Sequence, residues 1–190
     1  MMLRSLALGA LLLLAAGSLL WLGVRRHRER FHYYLSGPDP QLAQTLARSG
    51  YERRQLITAQ GVQLQLALRR PPSDGDPMLL LFPGNAERQL ATGIPLVEAL
   101  RAGHEAGAAV VSYRGFDGST GSPSPRAAAH DARAVLDYLS SELGVRGKQL
   151  VMVGYSMGSG IALRAAAELA QRGQGPSALV LLSPFWILEL

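Results

Sequence analysis

The chain has 190 residues, of which 48% are hydrophobic and 17% charged, so it is neither disordered nor too small to bury a core. It has no cysteine, which excludes a disulfide framework, a thiolate nucleophile and a cysteine-based zinc site. The net charge of +5 invites a nucleic-acid reading, but Arg4, Arg25, Arg26, Arg28 and Arg30 against Glu29 place +4 of it in residues 1–30, leaving a nearly neutral body whose charge count argues against a nucleic-acid partner.

Ser5 to Val24 is a run of 20 residues without a charge, enough for a helix to cross about 30 Å of hydrocarbon. Trp21 near its end and the Arg25-Arg26-His27-Arg28 cluster after it fit an interface and a stop-transfer flank, and Phe31, Tyr33 and Tyr34 suit headgroups. The expectation is a single-pass anchor in the cell membrane with the body on the cytoplasmic side, where the heavier positive flank points. A cleaved signal is the alternative, since Ala15-Ala16-Gly17 offers small residues at a cleavage spacing, but the apolar run continues through Leu19, Leu20, Trp21 and Leu22.

Ser36-Gly37-Pro38-Asp39-Pro40 reads as a linker turn, and Gln41 to Ser49 as a short amphipathic helix closed by Gly50. The expected organisation is anchor and flank over 1–30, linker and helix over 31–54, and a folded domain over 55–190. Gln55 to Thr58 and Val62 to Leu68, with period-two alternation across a Gly61-containing turn, predict a β-hairpin. Met78 to Phe82 is a continuous apolar run of buried-strand type. Helix over 90–102, strand over 108–112, helix over 127–143, strand over 149–153, helix over 157–171 and strand over 178–182 follow. That alternation predicts an α/β fold, a mostly parallel sheet with helices on both faces.

Gly154-Tyr155-Ser156-Met157-Gly158 fits G-x-S-x-G, between the buried strand Val151-Met152-Val153 and an alanine-rich helix. Strand, sharp turn and helix are the setting of a nucleophile elbow. Ser156 is the candidate nucleophile. Gly154 and Gly158 are the positions where side chains would collide with neighbouring backbone, and the amide of Met157 at the helix N-terminus is a candidate oxyanion donor.

Three segments over roughly residues 55 to 185 resemble the α/β-hydrolases, of the membrane-anchored, serine-aminopeptidase-like and monoacylglycerol-lipase-like kind. Leu81-Phe82-Pro83-Gly84-Asn85-Ala86 resembles the family's H-G-N-A loop, which implies the amide of Asn85 as second oxyanion donor. Ser112 to Ser124 resembles the D-Y-R-G-x-G-x-S-x-G-x-P-S loop, and Gly154 to Gly160 resembles the elbow. Pro83 stands in place of the family's histidine and Ser112 in place of its aspartate, the latter costing a structural hydrogen bond. Arg114 to Ser124 reads as a tight structural turn. The resemblance implies a serine hydrolase acting on an ester, thioester or amide carbonyl of a small or lipid-like molecule, with no cofactor and no metal.

In that family the acid and the histidine follow the serine along the chain. Only 34 residues follow Ser156, and all four histidines, His27, His32, His104 and His130, precede it. His130, beside Asp131, reads as an ordinary helical residue. Glu168 lies about three turns along the helix, too far to serve, and Glu189 is the penultimate residue. The expectation is therefore a hydrolase domain truncated at its C-terminal end and inactive alone, or a non-catalytic membrane-tethered module. The strand over 178–182 would be an exposed apolar edge, with Phe185, Trp186 and Ile187 beyond it, prone to self-association.

Overall fold

The computed structural model describes residues 14–24, 33–86 and 88–184. The chain divides into two compact units, Met1–Tyr33 and Tyr34–Leu190. In the first, residues 14–24 are helical, with Leu14, Leu19, Leu20 and Trp21 exposed. The expected span from Ser5 therefore begins outside the described residues, as does its arginine flank. Among the described residues, no helix is long and apolar enough to cross a membrane.

The second unit runs α1 (Leu42–Ser49), β1 (Glu52–Ile57), β2 (Gln63–Arg69), β3 (Met78–Phe82), α2 (Gln89–Arg101), β4 (Gly107–Ser112), α3 (Pro125–Leu143), β5 (Leu150–Tyr155), α4 (Met157–Gln171) and β6 (Ala178–Leu182). Each strand and helix expected over residues 41–182 is present, and about half of their ends move by one to three residues. Local chemistry accounts for several ends. Gly50 and Gly144 close α1 and α3 at φ 70° and 67°, where a Cβ would be strained. Ser124 caps α3 by accepting from the Ala127 N–H at 3.1 Å, with Pro125 in the first turn, where a missing N–H costs nothing.

The strands form one sheet in the order β1-β2-β4-β3-β5-β6. β4, β3, β5 and β6 are parallel, whereas β1 and β2 are antiparallel, with β2 set against β4 from Gln65 opposite Ser112 to Arg69 opposite Ala108. Every residue of β3 and β4 is buried, so both sheet faces are covered there. One face is closed by Leu42 and Leu46 of α1 and Leu90, Ile94 and Val97 of α2 on Leu79, Leu81, Ala108 and Val110. Strand residues of the other parity, among them Leu80, Ala109, Val111 and Met152, are equally buried. Gln65, a polar position of the hairpin alternation, is only 1% exposed: its N–H donates to Ser119 Oγ at 2.9 Å and its Oε1 accepts from Arg53 Nε at 2.7 Å.

β6 is an edge of the sheet formed by the described residues, and Leu179 to Leu182 are only half-buried. The other edge, β1, carries Glu52, Arg53 and Arg54, charges that discourage pairing. Phe185, Trp186 and Ile187 lie outside the described residues. The linker-like segment is tied down at several points. Ser36 N–H donates to Gly115 O at 3.2 Å, Ser36 Oγ accepts from the Asp117 N–H at 3.0 Å, and Tyr34 N–H donates to Asn85 Oδ1 at 3.0 Å. Its turn composition was legible, but partners 51 to 81 residues away were not.

Candidate active site

Three loops leave the C-terminal ends of adjacent parallel strands: Pro83 to Arg88 after β3, Tyr113 to Ser124 after β4, and Ser156 after β5. Such ends are where an open α/β sheet places its chemistry. Ser156 sits at φ 51° and ψ −118°, a conformation that glycine adopts freely and a serine pays strain to hold. Its N–H donates to Leu182 O at 2.9 Å and its carbonyl accepts from Ser159 N–H at 2.9 Å, so backbone bonds on both sides hold the turn. Ser159 Oγ adds a 3.0 Å bond to Gly154 O, buried beneath it.

The two elbow glycines are sterically demanded. A Cβ on Gly154 would lie 2.5 Å from the Cα of Ser159, and one on Gly158 would fall on the carbonyl oxygen of Phe82 and 2.5 Å from that of Pro83. The start of α4 is thus pressed against both its own strand and the loop after β3. As the first residue of α4, buried Met157 has a backbone N–H with no acceptor inside the helix. Gly84 faces the elbow: a Cβ there would stand 3.2 Å from Ser156 Cβ and 3.1 Å from the Tyr155 ring. Asn85 follows Gly84 directly along the chain, as Met157 follows Ser156.

The loop after β4 is a series of hydrogen-bonded turns. Phe116 N–H donates to Tyr113 O at 3.1 Å, Ser119 N–H to Phe116 O at 2.7 Å and Gly115 N–H to Ser119 O at 3.1 Å. Arg114 forks onto Asp131 of α3, with Nε at 2.9 Å from Oδ1, and the Asp131 side chain is fully buried. Asp131 is thereby committed to the loop, while its neighbour His130 is exposed on α3 and His104 is exposed after α2. His27 and His32 lie outside the described residues. Among the described residues, no hydrogen bond joins the Ser156 side chain to a histidine or a carboxylate. Ser112, expected to cost a bond where the resembled loop has aspartate, still reaches Gln89 Oε1 at 3.4 Å through its hydroxyl and accepts from Ser119 Oγ at 3.0 Å through its carbonyl.

Two buried polar residues of this region escaped the sequence reading. Gln89, at the start of α2, bonds both the loop after β3 and the end of β4. Asp117 is fully buried at φ 47°, where the resembled loop pattern carries glycine, and aspartate is among the few side chains that tolerate that region. Its Oδ2 accepts from the Leu90 N–H at 2.9 Å, at the positive end of α2. Burial nevertheless holds its carboxyl above the usual range, outweighing the Leu90 amide and the Ser112 hydroxyl, while nearby Asp39 adds to the rise and Arg88 opposes it. The only available signal was an acidic residue inside a glycine-rich turn.

A raised folded-state pKa means that the folded chain holds its proton to higher pH than the unfolded chain. The stability this contributes is complete below the ordinary aspartate value of about 3.9 and is lost as pH rises through the raised value. Asp117→Asn keeps the size, the acceptor for Leu90 and the tolerance of left-handed φ without the buried charge. The variant is expected to exceed the native chain in stability at pH 7 and to converge with it as pH falls below 4. Urea unfolding at the two pH values measures the gap; a constant difference would exclude Asp117 as its source.

The family model for the alpha/beta hydrolase fold matches residues 77–190. Human Protein ABHD12B is 33% identical over 123 residues, covering 62% of this chain and 33% of that protein. The chicken lysophosphatidylserine lipase ABHD12 is 35% identical over 111 residues, covering 57% of this chain and 28% of the lipase. A crystal structure of an alpha-beta hydrolase from Vibrio vulnificus superposes with a TM-score of 0.65 at 24% identity, covering 75% of this chain and 49% of that one, a likeness of fold. The chain spans about a third of the length of these two curated relatives and about half of the solved chain. With the strained serine between two obligatory glycines at the end of a parallel strand, and a family match over residues 77–190, the chain belongs to the alpha/beta hydrolase fold family.

Proposed function

We propose that this chain carries the nucleophile of a serine hydrolase acting on carboxylic esters of lipid-like molecules. The observation that carries the reading is Ser156 itself, held at φ 51° in a turn whose glycines leave no room for side chains. In the proposed reaction, Ser156 Oγ attacks the substrate carbonyl carbon as a base takes its proton. Negative charge gathers on the carbonyl oxygen, where the amides of Met157 and Asn85 receive it, and the alcohol leaves with a proton to give an acyl-serine that water hydrolyses. The base and its carboxylate are not assigned to any described residue. The lipid-like substrate is supported by the lysophosphatidylserine lipase among the relatives and by the apolar Ser5–Val24 run, which in this reading anchors the domain in a membrane with its body on the cytoplasmic side.

The test is serine-directed fluorophosphonate labelling of membranes bearing the full chain, after an alkaline carbonate wash that strips peripheral proteins. Labelled protein in the washed pellet, absent in Ser156→Ala, is the expected result. Labelling that survives the substitution would remove Ser156 from the chemistry, an unlabelled native chain would mean that no base reaches it, and release by the wash would remove the anchor.

A second reading rests on the half-buried apolar edge β6, whose strand would pair with another copy. It predicts a detergent-solubilised dimer that Ala178→Lys, which sets like charges at the exposed start of that edge, converts to monomer in light scattering. A native chain that is already monomeric would overturn it.

A further inference from the structure

Gln89 is fully buried at the first residue of α2, a position where glutamine ordinarily faces solvent. Its Nε2 donates to Gly84 O at 3.1 Å, and its Oε1 accepts from the Tyr113 N–H at 3.0 Å and the Ser112 hydroxyl at 3.4 Å. One side-chain amide therefore fastens the loop after β3 to the end of β4. The bonded carbonyl matters because Gly84 C=O and Asn85 N–H belong to the same peptide unit. That unit is planar and trans, so its N–H points opposite to its C=O, and holding the oxygen aims the hydrogen. Ala86 N–H also reaches Gly84 O, at 3.0 Å, but from within the loop, and so cannot fix the loop against the sheet. The preceding carbonyl, Pro83 O, is held in turn by the Tyr113 hydroxyl at 3.2 Å. Across from these anchors, Gly84 faces Ser156, with room for no side chain at ordinary contact distance.

We infer that Gln89 is a positioning residue of the oxyanion site: by gripping Gly84 O it sets the direction of the Asn85 N–H relative to Ser156. The inference rests on the proposed hydrolase reading for its chemical consequence, though not for its geometry. Gln89 touches no reacting atom. Its effect is confined to the step in which charge develops on the carbonyl or phosphonyl oxygen, so it changes bond formation and leaves probe binding unchanged.

Two variants of the full chain in detergent test this. Gln89→Glu keeps an oxygen for the Tyr113 N–H while removing the donor to Gly84. Gln89→Met matches the volume without charge and serves where a buried carboxylate prevents folding. Fluorophosphonate labelling is resolved into a binding constant and a limiting rate, and backbone NMR follows the Gly84 carbonyl carbon and the Asn85 amide. The limiting rate is expected to fall about 10- to 100-fold at unchanged probe binding, a part of what removing an oxyanion donor outright costs. The Gly84 and Asn85 resonances are expected to shift. A merely structural role would lower the melting temperature and leave the limiting rate of folded protein intact, and that result, or unmoved resonances, would overturn the inference. Should the native chain fail to label at Ser156, the hydrolase reading falls by itself, and the Gly84 and Asn85 resonances alone decide whether Gln89 holds the peptide.

Discussion

Ser156→Ala is expected to reduce serine-directed labelling, and any ester hydrolysis the chain performs, to background, a loss of roughly 10⁶-fold where a base serves Ser156 and correspondingly smaller where none does. The size follows from the chemistry: the oxyanion amides and substrate contacts remain, but no bond can form to the acyl or phosphonyl group. The same position predicts an opposite effect on stability. Ser156 holds φ 51° and ψ −118°, a region that costs a non-glycine residue about 1–3 kcal/mol. Ser156→Ala keeps the Cβ and therefore the strain. Ser156→Gly removes it and, after the larger backbone entropy that glycine loses on folding, should stabilise the chain by roughly 1 kcal/mol while labelling disappears. Chemical denaturation of the two variants beside the native chain measures both. Equal stability of all three would show that the turn is not strained.

Gly158→Ala is expected to be among the most damaging single-methyl changes in the domain. In an open helix the substitution would gain about 1 kcal/mol of propensity. Here the added carbon would land on the Phe82 carbonyl oxygen and 2.5 Å from that of Pro83, both backbone atoms of a buried strand end with no rotamer to change. Relief requires α4 to move away from β3, which also opens the contact between the elbow and the loop bearing Gly84. Overpacking of this kind costs about 1–3 kcal/mol where side chains can give way, and with backbone on both sides we expect a net loss of about 3 kcal/mol. Gly37→Ala is the control, because nothing lies within 4 Å of its added carbon and its φ is unexceptional. Urea midpoints read the difference, and a Gly158→Ala chain as stable as the control would contradict the close approach.

Both effects concern residues that the sequence singled out, and the reason is local. A nucleophile elbow is a short-range device in which a strand, a turn and a helix follow one another within a few residues, so the glycine spacing and the flanking apolar runs carry its signature. Fully buried strands such as Met78–Phe82 announce themselves in the same way, since both faces must be apolar. The loop after β4 was legible as a turn, but Arg114 could not be matched to Asp131, 17 residues on, because nothing in either residue names the other. Gln89 and Asp117 were missed for a related reason. A glutamine beginning a helix and an aspartate in a glycine-rich turn are ordinary surface choices, and only burial turns them into fasteners of the site.

By itself, then, the sequence determined the kinds of elements, their order and the strand, turn and helix with Ser156 at the tip, because each depends on periodicity or on spacing within a few residues, while three matching segments carried the resemblance to a hydrolase family. The tertiary structure alone decided that β2 runs antiparallel against β4, that β3 lies between β4 and β5, that the segment from Tyr34 to Ser36 is bonded onto the site loops, and that Gly84 stands against Ser156. Those facts are contacts between residues distant along the chain. They are selected by the joint closing of one core and the satisfaction of its buried polar groups, a condition on the whole assembly that no short stretch of sequence can express.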